Sequence, residues 1–442
     1  MVKRYKILSS SIFYNRDSFS FSLTASKKEN SIYHPYPIYD FISKISITSY
    51  TFCIDISDEC NLNCDYCFNK HKSGQHISFE IAIKYLERMF KVFPDGKKYF
   101  IDLSGKGEPL FHLKEIVQIA DWCKRKQDEI RVEVLPQLVC NGTLLTKEVA
   151  KILQKHRVLV GVSLDGNEHI HDMHRKYKNG NGSYSTIISN IKQIRHRDYI
   201  GCAITLTNDI FSLTDSVTQL ATVFKTISYR PARGEYGFDQ NGVKKWIKEY
   251  DILSMKIIED IKNNNCSILL PLMNGDDFFG RYLCRAFGKQ ITINRCDAEI
   301  SRFALDLDGN IYGCPAMTMN KELSLKMLSK NNSKNTLLKS AEMCVSCDFK
   351  IFCGGECKVE YYKYGIRKKL CLFKKHLILL ANYIQLICEK ENPKLEQFLE
   401  NFVQEKMKRF TTNKELIAFL EKHPKYSFSK GKAIFDRQHR KY

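Results

Sequence analysis

Between residues 51 and 229 short apolar runs alternate with longer segments of helical periodicity. The runs fall at 51–56, 99–103, 131–139, 158–164, 201–206 and 226–229, and the helical segments near 79–93, 112–127, 146–156, 184–197 and 212–224. Strands alternating with helices build βαβ units and a parallel sheet. The expected fold class is therefore α/β, either a partial (β/α) barrel of six strands or an open doubly wound sheet. In both, ligands bind beyond the C-terminal ends of the strands. CNLNCDYC (60–67) follows the first run, SGKGEP (104–109) the second and CNGT (140–143) the third, while SLDG (163–166) ends the fourth. Each alone is an ordinary turn, but together they share one rim.

CNLNCDYC places Cys60, Cys64 and Cys67 in C-x3-C-x2-C spacing. Zinc, a disulfide, an iron–sulfur cluster and a redox dithiol all use close cysteines. A structural zinc site wants four ligands and paired C-x2-C knuckles. Here there are three thiols, with His71 and His76 the next imidazoles. A cubane cluster can take three cysteines and leave one iron open. The 442-residue chain has 17 cysteines and no export signal, so it has no need of disulfide stapling; clustered thiols in a reducing compartment more often bind metal. A cytoplasmic location is expected. No apolar run reads as long enough to cross a bilayer, so no membrane partner is expected.

The formal net charge is +20. A solvated lysine-rich surface explains it as well as attraction of an anionic partner does. Without a recognisable RNA-binding module, nucleic acid is not the expected partner.

The rim motifs together resemble the radical S-adenosylmethionine (radical SAM) enzymes over about residues 50–235. Their signature is C-x3-C-x2-C with an aromatic residue before the last cysteine, here Tyr66. Gly105-Lys-Gly-Glu-Pro109 resembles the family's Gly-Gly-Glu-Pro turn, with Lys106 where glycine is common. The resemblance implies a [4Fe–4S] cluster on Cys60, Cys64 and Cys67. It also implies SAM-contacting positions at Tyr66, Gly105, Gly107, Glu108, Asn141, Ser163 and Arg175. SAM cleavage would then yield a 5′-deoxyadenosyl radical that abstracts a substrate hydrogen, with electrons from an external flavodoxin- or ferredoxin-type reductant. No catalytic acid or base is identified.

A second cysteine region reads Cys296, Gly309, Cys314, Cys344-Val-Ser-Cys347, Cys353-Gly-Gly-Glu-Cys357 and Cys371. Its C-x2-C-x5-C-x3-C core alone fits a zinc ribbon or a ferredoxin-like set. With the flanking cysteines it resembles the SPASM domain, which implies two auxiliary [4Fe–4S] clusters. One would use Cys344, Cys347, Cys353 and Cys371, the other Cys296, Cys314 and Cys357. Two cubes need an eighth ligand, and either Cys284 supplies it or one iron stays open. Among the other cysteines, Cys140 draws attention because it ends a strand at the rim.

Proteins of this type mostly modify peptides. The expected function is maturation of a ribosomally made precursor peptide by oxidative crosslinking (thioether, ether or C–C). The alternatives are a protein oxidase like the anaerobic sulfatase maturases, and an RNA-modifying radical SAM enzyme. Sulfatase maturases carry an Asp base just after the cysteine matching Cys314, where this chain has Pro315. The expected organisation is an N-terminal segment (1–48) that could dock peptide, a radical SAM partial (β/α)6 barrel (49–235), a helical linker (236–283), a SPASM domain (284–372) and a basic helical extension (373–442).

Overall fold

The strands β4 (Ser49–Ile54), β5 (Lys98–Asp102), β6 (Glu133–Cys140), β7 (Leu159–Ser163), β8 (Ile200–Leu206) and β9 (Ile227–Pro231) lie side by side in chain order, each neighbouring pair parallel. The computed structural model describes residues 2–15, 20–24, 49–70, 72–195, 197–275, 277–289, 296–325, 344, 347–364 and 368–409. The expected partial-barrel architecture is present, with helices between the strands.

The first connecting helix, α1 (Phe79–Val92), starts where the Ser78 side chain accepts the Ile81 N–H. It buries Ala82, Tyr85, Leu86, Met89 and Phe90, a stripe at helical spacing that faces the sheet. Then come α2 (Leu113–Ile130), α3 (Lys147–Lys155), α4 (Glu168–His174), α5 (Tyr184–Gln193) and α6 (Leu213–Ala221). The short α4 was not expected; its seven residues carry too little periodicity to be read.

The sheet has eight strands in all. β10 (Arg302–Leu305) pairs in parallel with β4, setting Ala304 opposite Cys53, and β11 (Ile311–Tyr312) pairs antiparallel with β10. The second cysteine region therefore adds strands to the barrel sheet itself. An open edge on β4 would leave backbone N–H and C=O groups unpaired, and β10 satisfies them.

Five helices pack on one another next to the edge strand β9: α7 (Gln240–Lys262), α8 (Leu269–Asn274), α9 (Phe278–Phe287), α12 (Lys368–Glu391) and α13 (Pro393–Arg409). Between them lie the short α10 (Lys350–Cys353) and α11 (Lys358–Tyr364). α12 packs on α7 and α9. By length and a mean hydropathy of 1.3 it could cross a membrane, but 72% of that window is buried inside the protein. A helix apolar on most sides is what a core position demands, and here the core supplies the apolar surroundings. Residues 410–442, the rest of the expected basic extension, lie outside the described residues.

At the N-terminus β1 (Val2–Ile7), β2 (Ser10–Asn15) and β3 (Ser20–Ser22) form a separate antiparallel sheet. Its aromatic face packs on the second cysteine region. Tyr5 meets Phe349 edge-on at 5.5 Å, Tyr14 meets Phe352 at 5.9 Å, and Phe21 meets Phe352 at 5.2 Å between ring centres. Lys3 pairs with Asp348, and Tyr383 on α12 donates to the Ser10 hydroxyl at 3.0 Å. The aromatic face of this sheet is thus packed inside the protein, and residues 1, 16–19 and 25–48 of the segment lie outside the described residues. Burying an aromatic side chain contributes several kcal/mol. Phe21→Ala should therefore destabilise the protein by about 3 kcal/mol, read as a lower urea midpoint, with residues 347–353 becoming more accessible to protease.

Candidate active site

The loop after β4 carries the first three thiols and is held from two sides. On one side, Asn61 donates to the Thr143 hydroxyl at 2.8 Å, and Asn141 donates to the Asn61 side-chain oxygen at 2.8 Å. Asn141 also points at the Cys60 sulfur, 3.9 Å away. On the other, the Asn63 N–H donates to the Lys176 carbonyl at 2.8 Å and the Asp65 N–H to the His174 carbonyl at 3.3 Å. The His174 ring spans Asp65 at 2.8 Å and Asp209 at 2.9 Å. Inside the loop, the Cys67 N–H closes a turn on the Cys64 carbonyl at 3.2 Å.

The 104–109 loop lies directly on this segment, backbone against backbone. The Lys106 N–H donates to the Ser57 carbonyl at 3.2 Å and the Glu108 N–H to the Glu59 carbonyl at 2.6 Å. A Cβ on Gly107 would sit 2.1 Å from that Glu59 oxygen, so only glycine allows the approach. Gly105 adopts φ +65°, a left-handed turn. The Glu108 carboxyl is 1% exposed, accepting the Leu110 N–H at 3.1 Å and the Asn141 N–H at 2.6 Å. Burial raises it to about 7, against the pull of those two donors.

Arg175 follows α4 and is buried against Asp165, its Nε donating at 2.8 Å. The other Asp165 oxygen accepts the Thr205 N–H at 2.7 Å, and Tyr66 donates its hydroxyl to the same carboxylate. The Arg175 guanidinium lies over the Tyr66 ring, 5.3 Å from its centre. Asp165 thus ties the cysteine loop, β7 and β8 together. Ser163 ends β7, opposite Ala203 on β8. Every expected SAM-contacting residue therefore falls on one rim. The supporting set of Asn61, Asp65, Thr143, Asp165, His174, Thr205 and Asp209 was not singled out beforehand. Asn61 and Asp65 lie within CNLNCDYC, Thr143 within CNGT and Asp165 within SLDG, while His174, Thr205 and Asp209 lie in none of the quoted motifs.

Burial pushes the Cys60 thiol up and the Cys64 thiol to about 11, with Arg175 pulling Cys64 back and the neighbouring thiols raising both. The three sulfurs thus feel one another. Among the described residues no three His, Cys, Asp or Glu side chains converge as for a single metal ion. Three thiols gathered in one loop are a donor set that fits an iron–sulfur cluster. The donor set, three thiols and no fourth, fits a group with an open coordination position. His71 lies outside the described residues, and His76 stacks on His112 at 4.6 Å. Cys140 is buried, and its thiol is pushed well up by burial and then by Glu108; it is packing, not reactive chemistry.

The second cysteine region separates into two groups. Cys344, Cys347, Cys353 and Cys371 line one cavity, together with Lys350 and Lys374. Cys371 also feels Cys353 and Cys344 electrostatically. Cys314 instead feels Cys357 and Cys296, and Cys314 and Cys357 pack beside Cys53 and Met317. Cys284 sits on α9 and donates to the Met273 carbonyl at 3.0 Å. None of the thiols is in a disulfide.

Residues 54–209 match the Radical SAM superfamily. That stretch is a radical SAM domain, and with the cysteine pattern after residue 284 the chain is similar to radical SAM/SPASM maturases. The cysteine-type anaerobic sulfatase-maturating enzyme of Clostridium perfringens is 23% identical over 325 residues, 68% of this chain and 86% of the relative. The serine-type enzyme of Klebsiella aerogenes is 20% identical over 334 residues, 72% of this chain and 81% of the relative. The radical SAM cyclopropyl synthase TigE of Paramaledivibacter caminithermalis is 28% identical over 172 residues, 35% of each chain. In structure, anSMEcpe with bound AdoMet superposes with a TM-score of 0.60 at 21% identity, over 77% of this chain and 99% of that one. That likeness is one of fold. A radical SAM domain implies a [4Fe–4S] cluster and SAM as cofactors.

Two substitutions test the rim. Asp165→Asn puts an amide where Arg175, Tyr66 and the Thr205 N–H all need an acceptor. It should weaken SAM binding about tenfold or more, measured by equilibrium dialysis on the reconstituted protein. Gly107→Ala should abolish SAM binding while leaving the helical circular dichroism intact, because the added methyl displaces the loop rather than the fold.

Proposed function

We propose that this chain matures a ribosomally made precursor peptide, closing a thioether, ether or carbon–carbon bond between side chains. The observation that carries the reading is the segment after Cys314. That cysteine caps a 3-10 turn, Pro315–Met317, followed by Thr318, and no carboxylate stands there. Sulfatase maturases, by resemblance, carry an Asp base in that place.

In this reading Cys60, Cys64 and Cys67 hold the cluster, and Tyr66, Gly105, Gly107, Glu108, Asn141, Ser163 and Arg175 contact SAM. When bound, the cluster and SAM supply one-electron cleavage of a sulfonium and hence hydrogen abstraction from the substrate. The chain's own part is placement. Glu108 offers an acceptor whose position is fixed by two backbone donors. Gly107 lets the loop backbone come close, and Arg175 sets a guanidinium beside Cys64, itself neutralised by Asp165. Crosslinking removes two electrons from the substrate: hydrogen abstraction takes one, and the substrate radical must lose the second, with a proton, to a one-electron acceptor as the bond closes. The two further thiol groups, Cys344, Cys347, Cys353 and Cys371 and then Cys296, Cys314 and Cys357, are the places for one. The reductant in this reading is of flavodoxin or ferredoxin type.

A second reading, oxidation of a sulfatase cysteine or serine, is favoured by the span of the relatives, since the match covers 86% of the Clostridium perfringens enzyme. Intact mass separates the two. Anaerobic co-expression with the small open reading frame beside the gene should give a peptide lighter by two hydrogens per event. A sulfatase-derived cysteine peptide should be unchanged, and its conversion instead would establish the second reading. Cys60→Ala, Cys64→Ala or Cys67→Ala should abolish SAM cleavage. Cys347→Ala should lower iron content while leaving cleavage of SAM measurable.

A further inference from the structure

Lys106 stands where the family's turn commonly has glycine, and its side chain makes contacts a glycine cannot. The Nζ lies 3.2 Å from Asp55 Oδ2 and donates to the Thr318 carbonyl at 3.4 Å. Three elements meet here: the end of β4, the 104–109 loop, and the turn after Cys314. We propose that Lys106 is a positioning residue that clamps the SAM-side loop to the segment following Cys314, with Asp55 as its anchor. The proposal rests on the reading that residues 104–109 contact SAM.

The surrounding geometry makes the link stiff. The loop cannot slide on residues 56–59, because Gly105 and Gly107 leave no room for a Cβ against that backbone. Asp55 is fixed from behind, its N–H donating to the Leu305 carbonyl of β10 at 3.0 Å. Thr318 is 5% exposed, its hydroxyl held on the Pro315 carbonyl at 2.9 Å. A shift of the loop on binding SAM therefore reaches the turn beside Cys314 through one ammonium group. A buried ion pair whose partner is removed leaves an uncompensated charge, so the contact holds only while both members are charged.

Burial raises the Asp55 carboxyl to about 6, with Lys106 and the Thr318 side chain opposing it. The other groups facing Asp55 are Asp306 after β10, Cys53 on its own strand, Tyr85 from α1 and Tyr312 from β11. Of these, Asp306 raises it further. The sign follows: the carboxylate, and with it the clamp, is present above about pH 6 and lost as pH falls through that value.

Hydrogen–deuterium exchange on the anaerobically reconstituted holoprotein, with and without SAM, tests this without needing the peptide substrate. In the wild type, SAM should slow exchange both in 104–109 and in 315–320. Lys106→Gly restores the residue common in the family, and combining it with Asp55→Asn removes the buried charge it would otherwise leave uncompensated. Both variants should keep the slowing in 104–109 and lose it in 315–320. Asp55→Asn should do the same, Lys106→Arg should retain both, and the 315–320 effect should vanish in the wild type below about pH 6. Slowing that persists in 315–320 of Lys106→Gly, or a wild type slowed only in 104–109, overturns the clamp and leaves the SAM site standing. A wild type slowed in neither segment overturns the SAM-site reading, and the clamp with it.

Discussion

The contact on which the rest depends is backbone against backbone. Glu59, the residue before the first cysteine, gives its carbonyl to the Glu108 N–H at 2.6 Å across a gap that only Gly107 permits. That contact seats the cysteine loop over the second strand. Glu108 then turns its carboxylate to the Asn141 N–H, and Asn141 reaches back to Asn61. The circuit runs from the first strand through the second to the third and returns to the thiols. The Glu108–Asn141 link is fully buried, so removing Glu108 leaves the Asn141 N–H without water to replace it.

Asp165 does the same on the opposite side. Its carboxylate serves Tyr66, Arg175 and the Thr205 N–H, so one side chain fixes the angle between the cysteine loop and two strands. His174, between Asp65 and Asp209, doubles that link. The cysteine loop has no regular structure of its own. Its order is borrowed from two polar nodes whose members are far apart in sequence.

The second cysteine region is attached with equal firmness. β10 continues the sheet beside β4, and the N-terminal aromatics close over Phe349 and Phe352. The N-terminal sheet therefore packs beside the thiol-lined cavity, which Phe349 also lines. Tyr5, Tyr14 and Phe21 set the apolar face of the N-terminal sheet against that region. The long apolar helix near the C-terminus shows the same rule: its composition suits a membrane, but its neighbours α7 and α9 supply the apolar surroundings.

The parallel strands and most connecting helices were readable because they carry their own periodicity, and the rim motifs because Gly, Cys and acidic residues sit at fixed local spacing. Cys60, Cys64 and Cys67 stand out by their spacing alone, but the eight residues left several thiol chemistries open, and only the other rim motifs turned the reading toward a cluster. What no local pattern could supply is partnership at a distance. Asp165 with Tyr66, Asn61 with Thr143, Cys53 beside Cys314, and Lys106 between Asp55 and Thr318 are pairs separated by tens to hundreds of residues. Their energies come from burial and hydrogen bonding that exist only once the sheet has formed. The sequence by itself determined the alternation of elements and the chemistry of the thiols. Tertiary structure alone decided which thiols share a cavity, which carboxylates are buried, and where a lysine in a glycine's place would reach.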